Sequence, residues 1–218
     1  GVNRVWRRVG GRKYSVRSAT ALRAFIRVAP DVVRRLDQEH ADRGDYRAIG
    51  RVMQNPLDGT APGLTIAENL RLAECRRRPL FSPQALLGLH PSRADRRRYG
   101  ELLESLGLPL ADRLDTPVGQ LSGGQRQTIS LVMASLGEPR LLLLDEHTAA
   151  LDPRAEATVM ALTDRLVARL GCTALMVTHS LEQALTHGDR LVMLQEGHLI
   201  GDWSAAERQQ FTPAALRA

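Results

Sequence analysis

Residues 141–146 read Leu-Leu-Leu-Leu-Asp-Glu, and this stretch decides the fold class of the chain. A short, fully apolar run bounded by turn-forming residues is typical of a strand that is buried on both faces. Ligands of open α/β sheets bind at the carboxyl ends of such strands. At that end Asp145 is suited to holding Mg²⁺ through water, and Glu146 is suited to orienting a nucleophilic water. The stretch therefore predicts a buried strand that carries two carboxylates to a ligand site.

Helical and extended patterns alternate on both sides of this strand. The predicted strands are 49–53, 141–145, 173–177, 190–194 and 198–200, with a hairpin turn at Glu196-Gly197. The predicted helices begin near Thr65, near residue 100, after Ser122, at Asp152-Pro153 and at residue 181. Gly171 is predicted to end the fourth helix, and Gly107 the second. This succession predicts an α/β fold with a mostly parallel sheet and helices on both faces.

Composition places the chain among ordinary globular proteins. It has 218 residues, of which 43% are hydrophobic and 25% charged, so we expect one large domain or two small ones rather than a disordered chain. No apolar stretch is long enough to span a bilayer, so a membrane link would go through a partner. Cys75 and Cys172 lie far apart, which excludes a disulfide scaffold and a cysteine zinc cluster. Because the sequence begins at Gly1, we expect a fragment or a processed end.

The positive charge is concentrated at the beginning of the chain. The formal net charge is +6, and residues 1–46 carry all of this excess, whereas residues 47–218 are neutral. A basic arm of this kind often binds nucleic acid or a membrane surface. The two Arg triplets at 76–78 and 96–98 are interpreted instead as a solvated helical surface.

Residues 121–127, Leu-Ser-Gly-Gly-Gln-Arg-Gln, form a second candidate site. Ser122 is suited to capping the following helix, and Gln125 at the third position would close a capping box. Gly123 and Gly124 would let a large anion approach the backbone N–H groups at the positive end of that helix. An ordinary capped helix after a turn is the alternative interpretation of this segment taken alone.

Five motifs in this order resemble the nucleotide-binding subunit of ATP-binding-cassette (ABC) transporters. They are the Q-loop glutamine Gln54, the signature at 121–125, the Walker B strand at 141–146, the D-loop at 150–152 and the switch histidine His179. The resemblance covers about 47–205. It implies a P-loop NTPase (RecA-like) core with an α-helical subdomain, in a single ABC ATPase domain that is N-terminally incomplete. Its predicted parts are 1–46 (atypical Walker A region), 47–63 (Q-loop region), 64–136 (helical subdomain with the signature), 137–205 (Walker B, D-loop and switch histidine) and 206–218 (tail).

The family resemblance implies a role for each motif residue. Two cassettes, as a homodimer or with a paired cassette subunit, face each other head to tail and enclose two ATP molecules. Glu146 would be the general base, and His179 would bridge it to the γ-phosphate. Asp145 and Gln54 would bind Mg²⁺, and Asp152 would contact the opposite site. The γ-phosphate of the opposite site would be contacted by Ser122, Gly123, Gly124 and Gln125.

The resemblance also implies partners and a location. The helical subdomain would grip a membrane permease at the cytoplasmic face of the cell membrane, and the permease would meet an extracytoplasmic solute-binding protein. Residues 55–65 and 146–150 resemble a subgroup of bacterial uptake ATPases that is linked to amino-acid import, including aromatic amino acids. The family further implies ATP and Mg²⁺ as cofactors and no nucleic acid as a partner.

The Walker A pattern G-x-x-x-x-G-K-[ST] is incomplete. Lys13 stands 41 residues before Gln54, the spacing that the family has, but Arg7 and Arg12 fall on the two glycine positions and Tyr14 on the hydroxyl position. Of this region, Gly10, Lys13 and Ser15 keep residue types that serve a phosphate site. Side chains at the glycine positions would block the nest of N–H groups around a phosphate, so we expect no working loop as written.

Three interpretations remain open at this point. The first is a transporter ATPase whose residues 1–46 come from reading the gene out of frame. The second is a degenerate cassette that still dimerises or docks. The third is a soluble, non-transport ABC protein whose basic arm binds nucleic acid, although such proteins usually carry two cassettes or a long coiled-coil insertion, for which this chain has no room.

Overall fold

The structure, a computed structural model, describes residues 3–5, 14–15, 49–75, 90–195 and 198–213, the first two ranges by their backbone. The strands within these ranges are β1 (Asn3–Val5), β2 (Tyr14–Ser15), β3 (Ile49–Val52), β4 (Leu141–Asp145), β5 (Thr173–Val177), β6 (Arg190–Gln195) and β7 (His198–Ser204). The helices are α1 (Ile66–Cys75), α2 (Arg93–Ser105), α3 (Gly123–Ser135), α4 (Pro153–Leu170), α5 (Leu181–Thr186) and α6 (Ala205–Arg208), with short 3₁₀ turns at Ala111–Arg113 and Val118–Gln120.

The strands form one twisted layer in the order β3-β4-β5-β1-β6-β7, and β2 also pairs with β5. β3, β4 and β5 are parallel, with Leu142 beside Gly50 and Ala174. Helices connect these strands, as right-handed crossovers between parallel strands require. The predicted parallel sheet is therefore found. The predicted hairpin is also found as antiparallel β6 and β7, and its second strand is longer than expected, while its turn at 196–197 lies outside the described residues.

The space between β5 and β6 is shared by β1 and β2, which run in opposite directions. β1 is antiparallel to both neighbours, with Val5 beside Val177 and Val192. β2 is parallel to β5, with Tyr14 beside Leu175. β1 therefore runs away from the sheet edge at which β4 and β5 end, and β2 runs toward it. The residues between the two strands lie outside the described part of the chain.

The core packs against one face of β4 more than against the other. Leu142 and Leu144 are fully buried in a cluster with apolar residues of α3 and α4, among them Ile129 and Leu162. Leu141 and Leu143 are only partly buried. Successive side chains of a strand point to opposite faces, so the helix pair covers alternate residues of β4. The prediction that this strand is buried on both faces is wrong for one face, although β5 is buried along all but its first residue.

α1 begins where the sequence places it. The Thr65 hydroxyl accepts the N–H of Glu68, and the Glu68 carboxylate accepts the N–H and O–H of Thr65, which is the predicted capping box. The backbone bond from Thr65 lowers the pKa of Glu68. Asn69 is fully buried on this helix, and its side chain bonds the backbone of Ala61, Leu64 and Thr65. These bonds fix the loop that leads into the helix.

α2 begins seven residues earlier than predicted. Ser92 and Asp95 form a capping box at its start, and the helix therefore includes the second Arg triplet. Those arginines are not merely a solvated face, because Arg98 donates to Glu74 of α1 at 2.8 Å. The buried Tyr99 hydroxyl donates to the same carboxylate at 2.7 Å, and burial raises the pKa of Tyr99. The first triplet, 76–78, lies outside the described residues.

The helices in the described ranges include none with the length and apolar character that crossing a bilayer requires.

Candidate functional site

The carboxyl ends of three parallel strands bring the predicted site residues together. Gln54 lies two residues after β3, Asp145 ends β4, and His179 lies two residues after β5. β4 lies between β3 and β5, and Asp145 is in register with Val177 at the end of β5. The edge of the sheet therefore carries side chains from three separate segments of the chain.

Glu146 is at the centre of this edge. Its carboxylate oxygen Oε2 accepts a hydrogen bond from Gln54 Nε2 at 3.3 Å and lies 3.4 Å from His179 Nδ1. Its backbone N–H donates to the carbonyl of Val177 at 2.9 Å. The residue has a left-handed φ of 46°, which is uncommon for a residue with a side chain and which turns the chain sharply at the end of β4. The side chain is 17% exposed, so a ligand can reach it from one side.

Asp145 has a cationic neighbour that the sequence does not reveal. Its Oδ2 lies 3.4 Å from the Arg51 guanidinium of β3, and the Arg51 side chain is 45% exposed. Arg51 precedes Gln54 by three residues, so its proximity to Asp145 depends on the pairing of β3 with β4. Among the described residues, Arg51 is thus a charge partner of this carboxylate.

The oxygen atoms at this edge fit a hard cation. Asp145 and Glu146 offer carboxylate oxygens, and Gln54 offers an amide oxygen. Within the described ranges, no group of three or more His, Cys, Asp or Glu residues is arranged to hold a metal ion. Mg²⁺ is commonly held by one or two carboxylates together with substrate phosphates rather than by a complete protein cage. The donor set therefore fits Mg²⁺ that arrives with a phosphate ligand.

The capping box of residues 122–125 is formed as predicted. The Ser122 hydroxyl accepts the N–H of Gln125 at 3.3 Å, and the Gln125 amide oxygen accepts the N–H of Ser122 at 3.1 Å. A Cβ added to Gly124 would lie 2.7 Å from the Cβ of Ala155, a distance at which something must shift. Gly124 thus lets the start of α3 pack against the start of α4. Ser122 remains exposed at this end of the helix.

Asp152 has a local structural role. Its carboxylate accepts the N–H groups of Arg154 at 3.1 Å and Ala155 at 3.0 Å, which caps α4 in the predicted way. Pro153 occupies the first position of the helix, and Gly171 ends it in the left-handed conformation, both as predicted. The implied contact of Asp152 with a second cassette stays a prediction.

The predicted phosphate-loop residues are not part of this geometry. Gly10 and Lys13 lie outside the described residues, and Ser15 is described only as a backbone member of β2. Their predicted role therefore stays a prediction.

A buried histidine follows Glu146 directly. His147 is 2% exposed, and its Nε2 lies 3.1 Å from the Thr163 hydroxyl of α4. Burial, with a smaller contribution from the nearby His187, lowers the pKa of His147 to about 4. His187 in turn lies 2.8 Å from an oxygen of Asp164. His147 is therefore neutral at physiological pH.

Sequence reasoning missed several buried polar residues behind the site. Gln127 of α3 donates to the carbonyl of Met53 at 3.0 Å and so ties that helix to the residue before Gln54. Thr148, Thr178 and Gln183 form a second buried group. Beside these residues lies a cavity of about 640 Å³, lined by Glu146, Thr148, Ala149, Glu156, Thr178, His179, Ser180, Leu181, Glu182, Gln183 and Pro213. Helical or strand periodicity does not signal such contacts, because they join distant segments.

Comparison of the sequence with known families gives a match to the family described as ABC transporter over residues 26–149, more than half of the chain. The chain is 44% identical over 164 residues to the tyrosine transport ATP-binding protein of Clostridioides difficile, a match that covers 75% of this chain and 63% of that protein. It is 38% identical over 169 residues to the arginine transport ATP-binding protein ArtP of Escherichia coli, covering 77% and 63%. The matches thus span less than two thirds of these relatives' length.

Solved structures give the same result for the fold. The ADP conformation of MJ1267, an ATP-binding cassette of an ABC transporter, matches with a TM-score of 0.60 and 25% identity over 78% of this chain and 67% of that chain. CbiO1 from Clostridium perfringens, part of the ABC transporter complex cbiONQ, matches with a TM-score of 0.58 and 25% identity over 74% and 59%. The predicted α/β fold with a mostly parallel sheet is therefore confirmed.

Proposed function

The chain belongs to the ABC transporter family, and on that premise we propose that it is the ATP-binding and ATP-hydrolysing subunit of a transporter that imports an amino acid. One observation carries the proposal: Gln54 and His179, from two other segments of the chain, both lie against the Glu146 carboxylate. Phosphoryl transfer to water needs a positioned base and neutralisation of charge more than it needs covalent chemistry. A carboxylate with a neighbouring imidazole meets the first need.

Each residue of the edge has a proposed task. Glu146 accepts the proton of the attacking water, and His179 links Glu146 to the terminal phosphate. Asp145 and Gln54 attend Mg²⁺, which supplies charge neutralisation on the phosphates when it is bound. The exposure of His179, 46% of its side chain, leaves this imidazole accessible to a phosphate group.

The residues at 122–125 and Asp152 act on a second cassette. Ser122 is exposed at the positive end of α3, where backbone N–H groups favour an anion. Gly123, Gly124 and Gln125 share this helix start, and Asp152 heads the adjoining α4. We propose that this surface meets the γ-phosphate held by a homodimeric or paired cassette subunit.

The relatives support the proposed solute class and partners. The two relatives described above are a tyrosine and an arginine transport ATP-binding protein. A third, the methionine import ATP-binding protein MetN of Streptococcus pneumoniae, is 36% identical over 110 residues, which cover 50% of this chain and 31% of that protein. We propose that an amino-acid permease holds this subunit at the cytoplasmic face of the membrane and receives solute from an extracytoplasmic binding protein.

A second candidate function is docking without nucleotide binding. It is favoured by the side chains of Arg7, Arg12 and Tyr14 at positions where the phosphate loop needs glycine and a small hydroxyl residue. Such a cassette would still dimerise or hold a permease but would not bind ATP by itself.

Calorimetry with MgATP separates these functions. The chain is compared with Lys13→Ala and with a restored variant that carries Arg7→Gly, Arg12→Gly and Tyr14→Ser together. We expect weak binding by the unaltered chain, because the side chains at 7, 12 and 14 obstruct the phosphate loop, and binding with hydrolysis by the restored variant, in which the backbone N–H groups become accessible. This result would mean that the remaining site is that of an ATPase, whereas the chain with its present residues at 7, 12 and 14 has the docking function. Micromolar binding by the unaltered chain, lost in Lys13→Ala, would show that the loop works as it stands. No hydrolysis by a restored variant that binds MgATP would contradict the proposed roles of Glu146 and His179.

A further inference from the structure

A buried amide lines the same cavity as Glu146 and His179, and none of the roles proposed above uses it. Gln183 is on α5 and is 6% exposed. Its amide oxygen accepts the Thr178 hydroxyl at 2.6 Å. Its amide nitrogen donates to the Thr148 hydroxyl at 2.8 Å and to the Glu156 carboxylate at 2.6 Å. An amide offers two N–H donors and a carbonyl acceptor, so this side chain uses both kinds of group.

These three bonds join three separate segments of the site. Thr178 immediately precedes His179, and Thr148 lies between Glu146 and the start of α4. Glu156 lies in the first turn of α4. A single side chain therefore connects the residue before the switch histidine with the turn that carries the carboxylate.

The Thr178 side chain extends the connection to the backbone. Its hydroxyl oxygen accepts the N–H of Ser180 at 3.1 Å while its proton goes to Gln183. Thr178 and Thr148 are themselves 4% and 5% exposed, and Glu156 is partly buried. Bonds between well-buried polar groups are costly to leave unmade. The group therefore provides a hydrogen-bonded support beside the two reacting groups, of which Glu146 is 17% and His179 46% exposed.

We propose that Gln183 is a positioning residue that holds the Glu146 turn and the His179 segment in register with each other. Gln183 acts on the two reacting groups through its hydrogen bonds to Thr148 and Thr178. An effect of this relative position on ATP hydrolysis rests on the proposed function. The relative position of the two segments exists in the chain without nucleotide, so it is tested in that state.

The chemistry of the Gln183 and Glu156 pair provides a specific test. Gln183→Glu keeps the shape of the side chain but sets two carboxylates against each other at a 2.6 Å contact. Adding Glu156→Gln restores a pair of one amide and one carboxylate, and the Thr148 hydroxyl can rotate to donate to the new carboxylate. The double variant should therefore recover what Gln183→Glu loses.

The measurement is amide hydrogen exchange by NMR on the whole chain without nucleotide. The reporters are the N–H groups of Ala149, Leu151 and Ser180, which bond Glu146 O, Thr148 O and Thr178 Oγ1. Gln183→Glu and Gln183→Ala should speed their exchange by about tenfold, because these segments lose a buried anchor. The double variant should return to within about threefold of the original rates.

Asn69→Ala is the matched control, because Asn69 is also a buried amide with several hydrogen bonds but lies on α1. It should lower overall stability without selective acceleration at the three reporters. If Gln183→Ala accelerates them no more than the control does, or if the double variant fails to recover, the positioning role is wrong whatever the chain does with ATP. In the restored variant, Gln183→Glu should lower kcat while the affinity for MgATP is retained, and Glu156→Gln should rescue kcat. Equal losses of both quantities would indicate a purely structural residue.

Discussion

The candidate site has two parts that are held in different ways. The front comprises Glu146 and the exposed polar residues around it, and the back comprises Gln183 and the other buried polar residues that support them. At the front, Glu146 contacts Gln54 and His179 at 3.3 and 3.4 Å, and the His179 side chain is nearly half exposed. At the back, the bonds of Gln183 measure 2.6 to 2.8 Å, and they join it to the buried Thr178 and Thr148 and to the partly buried Glu156. Groups that exchange protons with a ligand need room to tighten on it, whereas their supports need fixed positions. The difference indicates that the hydrogen bonds of the back position the reacting groups of the front.

The strongest test of the front is removal of its carboxylate. In the restored variant, Glu146→Gln keeps the hydrogen-bonding shape but cannot accept a proton, so turnover should fall by roughly 10² to 10⁴. MgATP binding should survive. Turnover is measured by phosphate release and binding by calorimetry, with Glu182→Gln, an exposed residue of the same cavity, as the control. Near-normal turnover would show that Glu146 is not the general base. It would also contradict the comparison between a reactive front and a supporting back.

Ser122→Arg tests the part of the front that faces a second cassette. An arginine at this helix start would fill the place of the opposing phosphate, so ATP-driven dimerisation of the restored variant should weaken by at least about 100-fold. Binding of nucleotide to the monomer should be unchanged. Sedimentation with and without MgATP measures the dimer. Ser92→Arg is the control, because Ser92 heads an equivalent capping box on α2. An unchanged dimer would contradict the head-to-tail arrangement.

The back should lose stability in acid because of His147. Burial holds the pKa of His147 near 4, below its ordinary value of 6.5, so the unfolded chain binds the proton more readily. Its contribution is complete at pH 7 and is lost as the pH falls from about 6.5 toward about 4, by about 3 kcal/mol in the free energy of unfolding. Urea unfolding across this range measures the slope. His147→Gln should flatten it, whereas His90→Gln, an exposed control, should not.

The smallest effect is expected at the exposed ion pair of the front. Arg51 and Asp145 lie 3.4 Å apart with the arginine 45% exposed, so solvent screens their attraction. Arg51→Gln should change the free energy of unfolding by less than about 1 kcal/mol, as measured by urea titration. Arg51→Lys, which keeps the charge, is the companion variant. A loss above about 2 kcal/mol would mean that the front supports the fold and would remove the contrast with the back.

Local chemistry explains which elements could be predicted. The apolar strand at 141–145, the box at Ser122 and the caps of α4 depend on residues within four positions of one another, and all are found. The start of α2 is not predicted, because the Ser92–Asp95 capping box is followed by charged residues without an apolar stripe. The roles proposed for Gln54 and His179 come from the family resemblance, because neither pattern nor spacing predicts them.

The supporting contacts could not be predicted from local patterns. Gln183 lies 35 residues from Thr148, and Gln127 lies 74 residues from Met53. Each of these partners is an ordinary polar residue until the sheet brings it beside the other. Periodicity reports which face of an element is apolar, not which buried polar groups will pair. The sequence therefore predicts the residues that meet at the front, Gln54, Glu146 and His179, and does not predict the residues of the back.

The close approach of Gly124 to Ala155 restricts which pairs of residues α3 and α4 can carry at these two positions. A side chain cannot be added at position 124 while a Cβ stands 2.7 Å away at position 155. In related chains, a larger residue at 124 should therefore accompany a glycine at 155 or an outward shift of α4. Substitutions at the two positions should covary across the family, and the segments headed by Ser122 and Asp152 should evolve as one unit.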